Sequence, residues 1–201
     1  MTAKKILVIG ATGAVGRAAA TALEADGEVL RASRSSELQV DLEDRASLRS
    51  LLERVGTVDA IVSCTGAVPF KPLPELTAED FEAGMLGKAV TQISLVTEGL
   101  GRVADGGSFT LVSGILTQHP VPAAVAASTA NGAVEAFVAA AANELPRGVR
   151  INAVSPNVLR ESPGHHAAFK GFTQVTAAQV AQAFVRSVHG IETGQVFRVW
   201  G

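Results

Sequence analysis

The sequence contains no tyrosine. Aromatic residues make up 4% of it, eight phenylalanines and one tryptophan. Any mechanism that needs a phenol as acid or base is excluded on that count. There is one cysteine, Cys64, so no intrachain disulfide can form. A lone thiol suits a reducing cytoplasm. No apolar run approaches the roughly 18 residues of a membrane span, so no membrane partner is expected. The stretch from Met1 to Lys5 leads straight into a strand-like segment, which is not the layout of a signal peptide. These features predict a cytoplasmic protein. Charge is scarce too: charged residues are 18% and the formal net charge is -2. That balance gives no electrostatic reason to expect nucleic acid as a partner.

What is present is ample apolar material, 47% over 201 residues. That suits one α/β domain spanning 1–201. Short β-branched runs alternate with helical stretches. Strands are predicted at Ile6–Ile9, Glu28–Ala32, Gln39–Asp41, Ala60–Ser63, Ser108–Val112, Val149–Val154 and Gly194–Val199. Helices are predicted at about Ala14–Ala25, Arg45–Arg54, Ala123–Leu145 and Thr176–Val188. Another, within Thr77–Gly101, is expected to be interrupted at Gly84 and Gly87. Parallel strands need helical crossovers, so the pattern predicts a Rossmann-like doubly wound parallel sheet of about seven strands, with helices on both faces.

The first turn reads Gly10-Ala11-Thr12-Gly13-Ala14-Val15-Gly16, glycines three apart, after a strand and opening a helix. One glycine permits the tight turn, one lets backbone approach a pyrophosphate, one lets the helix pack on the strand. Amides at the helix start favour an anion. Gly10, Thr12, Gly13, Val15 and Gly16 are therefore candidate dinucleotide-binding residues. The second strand runs into Arg31-Ala32-Ser33-Arg34-Ser35-Ser36, with no acid before Glu37. An NAD site usually presents an acid there for the ribose 2′-hydroxyl. Guanidinium and hydroxyl groups suit a 2′-phosphate instead. NADP(H) is thus favoured over NAD(H), through Ser33 and Arg34.

These residues resemble the short-chain dehydrogenase/reductase family along essentially the whole chain. The likeness includes the glycine turn, Val40-Asp41-Leu42, Ser63-Cys64-Thr65-Gly66, Leu111-Val112-Ser113-Gly114, Arg150-Ile151-Asn152-Ala153-Val154-Ser155-Pro156 and Thr193-Gly194-Gln195-Val196. The resemblance implies further cofactor contacts from Asp41, Leu42, Cys64, Gly66, Pro156 and Leu159. It implies Ser113 at the family's catalytic serine position. It also implies a homodimer or homotetramer.

Two departures stand out. The family's Tyr-x-x-x-Lys pair falls on Ala127 and Asn131 when the long helix is aligned through Ala133-Val134-Glu135. The family's asparagine, seven residues after an aromatic, falls on Lys88, counted from Phe81. A lysine therefore stands at the asparagine position and an asparagine at the lysine position. The resemblance puts these helices side by side beneath the nicotinamide, where Lys88 can replace the usual lysine. The alternative is a surface lysine and a packing asparagine.

Two functions follow. The first is an NADP(H)-dependent oxidoreductase acting on a small carbonyl or hydroxyl compound. In it, Ser113 donates a hydrogen bond to the carbonyl, Lys88 stabilises or protonates the alkoxide, and Asn131 orders a water, with Thr129 or Ser128 as an added hydroxyl. The second is a non-catalytic NADP(H)-binding sensor or scaffold. His119 is a candidate proton donor or a plain loop residue. His165-His166 has too few neighbouring ligands for a metal site. The lid between Pro156 and Thr176 has only 19 residues, among them Phe169 and Phe172, and suits a partly apolar pocket.

Overall fold

Ile6, Leu7, Val8 and Ile9 are each at most 1% exposed, as befits a strand covered on both faces. Their side chains alternate: Leu7 and Ile9 join one apolar cluster, Ile6 and Val8 the other. That strand, β1 (Lys4–Ile9), lies within a seven-stranded sheet described by a computed structural model over residues 3–201. Of the stretch Met1 to Lys5, read as lacking a signal-peptide layout, Met1 and Thr2 lie outside the described residues.

The other strands are β2 (Gly27–Ser33), β3 (Leu38–Gln39), β4 (Val58–Ser63), β5 (Val103–Val112), β6 (Arg150–Pro156) and β7 (Val196–Val199). All pairs are parallel, in the order β3-β2-β1-β4-β5-β6-β7. The fold is therefore the Rossmann-like α/β architecture. Helices α1 (Ala14–Leu23) and α6 (Ala177–His189) cover one face. Helices α2 (Arg45–Val55), α4 (Thr91–Gly99) and α5 (Val125–Ala141) cover the other. Strand order reverses between β1 and β4, the place where such sheets bind ligands beyond their carboxyl ends. A third apolar cluster, including Ile115, Leu116, Ala127, Val158 and Phe169, sits at that end of the sheet.

Several boundaries differ from the sequence reading. The third strand ends at Gln39 because Asp41 leaves the sheet: its amide donates to Ser47 Oγ and its Oδ1 accepts from Glu43 N. Strand β5 starts at Val103, before its apolar run, because Val103 pairs with Val58 across an irregularity. The long helix starts at Val125, since Ala123 is in the left-handed region at φ 64°. The expected break at Gly84 and Gly87 does not occur. Helix α3 (Ala78–Gly84) continues through a π-helical segment, Met85–Val90, into α4. Both glycines serve close packing instead: a Cβ would come within 3.0 Å of Val68 Cγ1 at Gly84 and 2.6 Å of Ala67 O at Gly87.

Candidate cofactor and active site

The turn between β1 and α1 is built by backbone. Gly10 has φ 80°, and its amide donates to Ala32 O. A Cβ at Gly16 would stand 2.1 Å from Gly10 O, so this glycine lets the helix close on the strand. A Cβ on Gly13 would meet only Gly10 O, at 3.4 Å, so that position lies open. Helices α2, α3 and α6 have side-chain N-caps, whereas α1 starts at Gly13 without one. Its first-turn amides therefore lack the side-chain acceptor that caps the other three.

A cavity of about 500 Å³ opens there. Gly10, Thr12, Gly13, Ser33, Arg34, Asp41, Leu42, Cys64 and Gly66 all line it. Val15 and Gly16 do not; they lie within α1, with Gly16 buried against the turn. The two arginines of the β2 end part company. Arg31 is bonded to Glu24 Oε1 at 2.7 and 3.0 Å and to Thr21. Arg34 is exposed on the cavity and forms no ion pair among the described residues. Arg17 turns back onto the carbonyl of Thr12. Cys64 is half-buried, and burial pushes its thiol above the ordinary range, so it is no ready nucleophile.

A second cavity, of about 480 Å³, shares Gly66 and Ala67 with the first. It holds Lys88, Ser113, Asn131, Pro156 and Leu159, together with Ala127 at the expected phenol position. No aspartate or glutamate lines it. Lys88 projects from the π-helical segment, the kind of local widening often found at functional sites. It is half-buried and forms no ion pair among the described residues. Its side chain lies against Gly66, where a Cβ would meet Lys88 Cγ and Nζ at 2.9 Å. Burial lowers its ammonium to about 8. Asn131 is 4% exposed, and its Oδ1 has no hydrogen-bond partner.

Ser113 is arranged differently from the expected donor. Its hydroxyl donates to Glu135 Oε1 at 2.8 Å. The same carboxylate accepts from Thr117 Oγ1 and Gln118 Nε2, each at 3.2 Å. A serine has one proton to give, so toward the cavity Ser113 offers lone pairs. Its neighbour Gly114 faces Asn131 instead, with a built Cβ 3.1 Å from Asn131 Nδ2. Thr129 donates to Val125 O, Ser128 Oγ is buried without a partner, and neither lines the cavity. His119 is exposed and packs edge-on against Trp200, away from the cavity. His165 lines the rim, its ring 6.0 Å from that of Phe70. Phe169 lines the wall, with Phe172 stacked edge-on against it. His166 is hydrogen-bonded to Leu159 O at 2.9 Å.

Sequence reasoning missed Glu135 and Phe70. Glu135 appeared only as an alignment anchor, although its spacing of four from Asn131 puts both on one side of α5. Phe70 carried no signal beyond its place in a proline-rich loop. Among the described residues no helix is long and apolar enough to cross a membrane.

Residues 3–197 match the family model described as Enoyl-(Acyl carrier protein) reductase. Human L-xylulose reductase is 30% identical over 183 residues, covering 82% of this chain and 75% of its own. The solved structure of protein lin1944 from Listeria innocua is 47% identical with a TM-score of 0.96, covering 98% of this chain and 100% of that one. A small-chain dehydrogenase solved in complex with NADPH is 23% identical with a TM-score of 0.88, covering 98% and 96%. This last similarity is one of fold.

Proposed function

The chain belongs to the short-chain dehydrogenase/reductase family and is an oxidoreductase of that type, and from this premise we propose that it reduces a small carbonyl compound with NADPH, using Lys88 where relatives use a phenol. The observation that carries the reading is one shared wall. Gly66 and Ala67 border both the glycine-turn cavity and the cavity of Lys88 and Asn131. Bound NADP(H) would supply the hydride.

The residues of the glycine turn suit such a dinucleotide. The open Gly13 face and uncapped α1 amides suit a pyrophosphate, and the free Arg34 beside Ser33 suits a 2′-phosphate. The chain's own groups then act on the carbonyl oxygen. Lys88 donates a hydrogen bond to that oxygen and gives it a proton as negative charge develops. With its ammonium lowered to about 8, Lys88 is still mostly protonated at pH 7 and gives the proton up readily. Asn131 offers an unpartnered amide oxygen to a bound water or substrate hydroxyl. Ser113 contributes an acceptor held in place by Glu135. A cavity without acids and rimmed by Phe70 and Phe169 favours a neutral or anionic substrate with an apolar part. Exposed Leu86, Val90 and Val125, on and beside α4 and α5, support the reading of a homo-oligomer.

The test is titration with NADPH and NADH, followed by NADPH oxidation over a panel of small aldehydes and ketones. Tighter NADPH binding and turnover of at least one carbonyl class are expected. Binding without turnover across the panel would reduce the chain to a cofactor-binding protein.

A further inference from the structure

Gln92 is a glutamine with no exposed surface, on the first turn of α4. A buried amide must be satisfied, and this one is satisfied in a telling way. Its Oε1 accepts from Val112 N at 2.9 Å. Its Nε2 donates to Val112 O at 2.9 Å and to Lys88 O at 3.2 Å. Val112 is the last residue of β5, immediately before Ser113. On the β6 side, the chain stays paired, as Ser113 N donates to Val154 O. On the β4 side, the ladder to β5 ends at Val62 and Thr110. Beyond it the chain turns off through Cys64 to Gly66 and opens the cavities. The Gln92 amide takes the place of the missing strand at Val112 and ties it to the backbone of Lys88.

Gly87 O accepts from Ala67 N, and Lys88 O accepts from Thr91 Oγ1 and Gln92 Nε2. Lys88 is thus held through its backbone by Gln92 and along its side chain by Gly66. Nothing ionic holds it: no ion pair among the described residues includes it.

We propose that Gln92 is a positioning residue that sets the Lys88 ammonium at its place in the cavity, by clamping the π-helical turn to the end of β5. The proposal rests on the proposed role of Lys88 for its catalytic meaning, but its geometry can be read without turnover. Titratable groups around Lys88 are few. His165 stands on the lid side of the same cavity, Glu43 borders the neighbouring cavity beside Gly87, and Glu135 lies behind Ser113.

The experiment is ¹³C reductive methylation of the intact protein and an NMR pH titration of the Lys88 signal, identified by its loss in Lys88→Met. Gln92→Met removes all three bonds with similar shape; Gln92→Asn keeps a neutral amide, one methylene shorter than the reach these bonds need. In wild type the signal should titrate near pH 8. In Gln92→Met it should move toward the ordinary lysine value of about 10.4, by at least half a unit. Gln92→Asn should shift it in the same direction without adding a charge near Lys88, and serves alone if Gln92→Met does not fold. A lower melting temperature with an unmoved Lys88 midpoint in the folded variants would overturn the proposal, leaving Gln92 as packing only. A shifted midpoint in a protein whose wild type reduces no carbonyl would uphold the clamp and sink the reductase reading. In an active enzyme, the same variants should lower kcat about tenfold with KM for NADPH within about twofold.

Discussion

The two cavities are neighbours, yet they are made in different ways. The one beside the glycine turn is formed mainly by backbone: a positive φ at Gly10, a close approach at Gly16 and the uncapped start of α1. The other is formed by side chains from elements far apart in sequence: Lys88 from the π-helical segment, Asn131 from α5, Phe169 from the lid. Backbone sites tolerate side-chain exchange as long as the glycines stay. Side-chain sites can swap their chemistry between facing helices. That difference allows a chain to keep a glycine turn while the neighbouring cavity carries alanine at 127 and asparagine at 131.

The comparison breaks most sharply at Lys88. Lys88→Met should lower kcat by about a hundredfold or more while the NADPH dissociation constant stays within about twofold. Equal losses in both would mean that the cavities are one functional unit. The reverse experiment is Arg34→Ala, which should weaken NADPH by about tenfold or more and leave NADH nearly unchanged, as measured by titration. Loss for both cofactors alike would remove the 2′-phosphate role. Gly66 belongs to both cavities and sharpens the contrast. Gly66→Ala must push Lys88 aside by its Cγ and Nζ, so about tenfold in kcat is expected, with a smaller loss in NADPH affinity.

Smaller effects concern Ser113. Ser113→Ala and Glu135→Gln should each lower kcat only a few-fold. They should be non-additive in a double-mutant cycle, because they share one hydrogen bond. Full additivity would mean that Ser113 acts apart from Glu135. The smallest effect is on stability. Lys88 is protonated more readily in the unfolded chain than in the folded one, so its burial opposes folding below about pH 8. As pH rises from about 8 toward the ordinary lysine value, the folded state loses the proton first and stability recovers. Lys88→Met should therefore raise the melting temperature at pH 7, by an amount that shrinks as pH approaches 10.

How far the sequence speaks follows the same division. The glycine spacing, the β-branched runs and the missing acid after β2 are local signals, and local signals specify backbone. They led to the parallel sheet and to Gly10, Thr12, Gly13, Ser33 and Arg34 on one cavity, to which the family resemblance added Asp41, Leu42, Cys64 and Gly66. The distinction between Arg31 and Arg34 was not visible, because it depends on Glu24 one helix away. Ser113 was legible through the family resemblance as a catalytic serine position but not as a donor already committed to Glu135, 22 residues on. Gly84 and Gly87 looked like helix breakers because glycine favours breaks on its own. Packing against Ala67 and Val68 outweighs that preference. The absent tyrosine was visible at once, and the count from Phe81 reached Lys88; the π-helical turn that carries it is announced by no residue pattern.

The central claim is that Lys88 supplies the proton to the carbonyl oxygen. The most direct measurement is the pH profile of kcat for carbonyl reduction, wild type against Lys88→Met. A donor must be protonated to act, so wild-type kcat should be full below about pH 8 and fall as pH rises through that value. The variant should be slow and flat across the same range. A wild-type profile with no fall there, or a variant that keeps it, would contradict the claim.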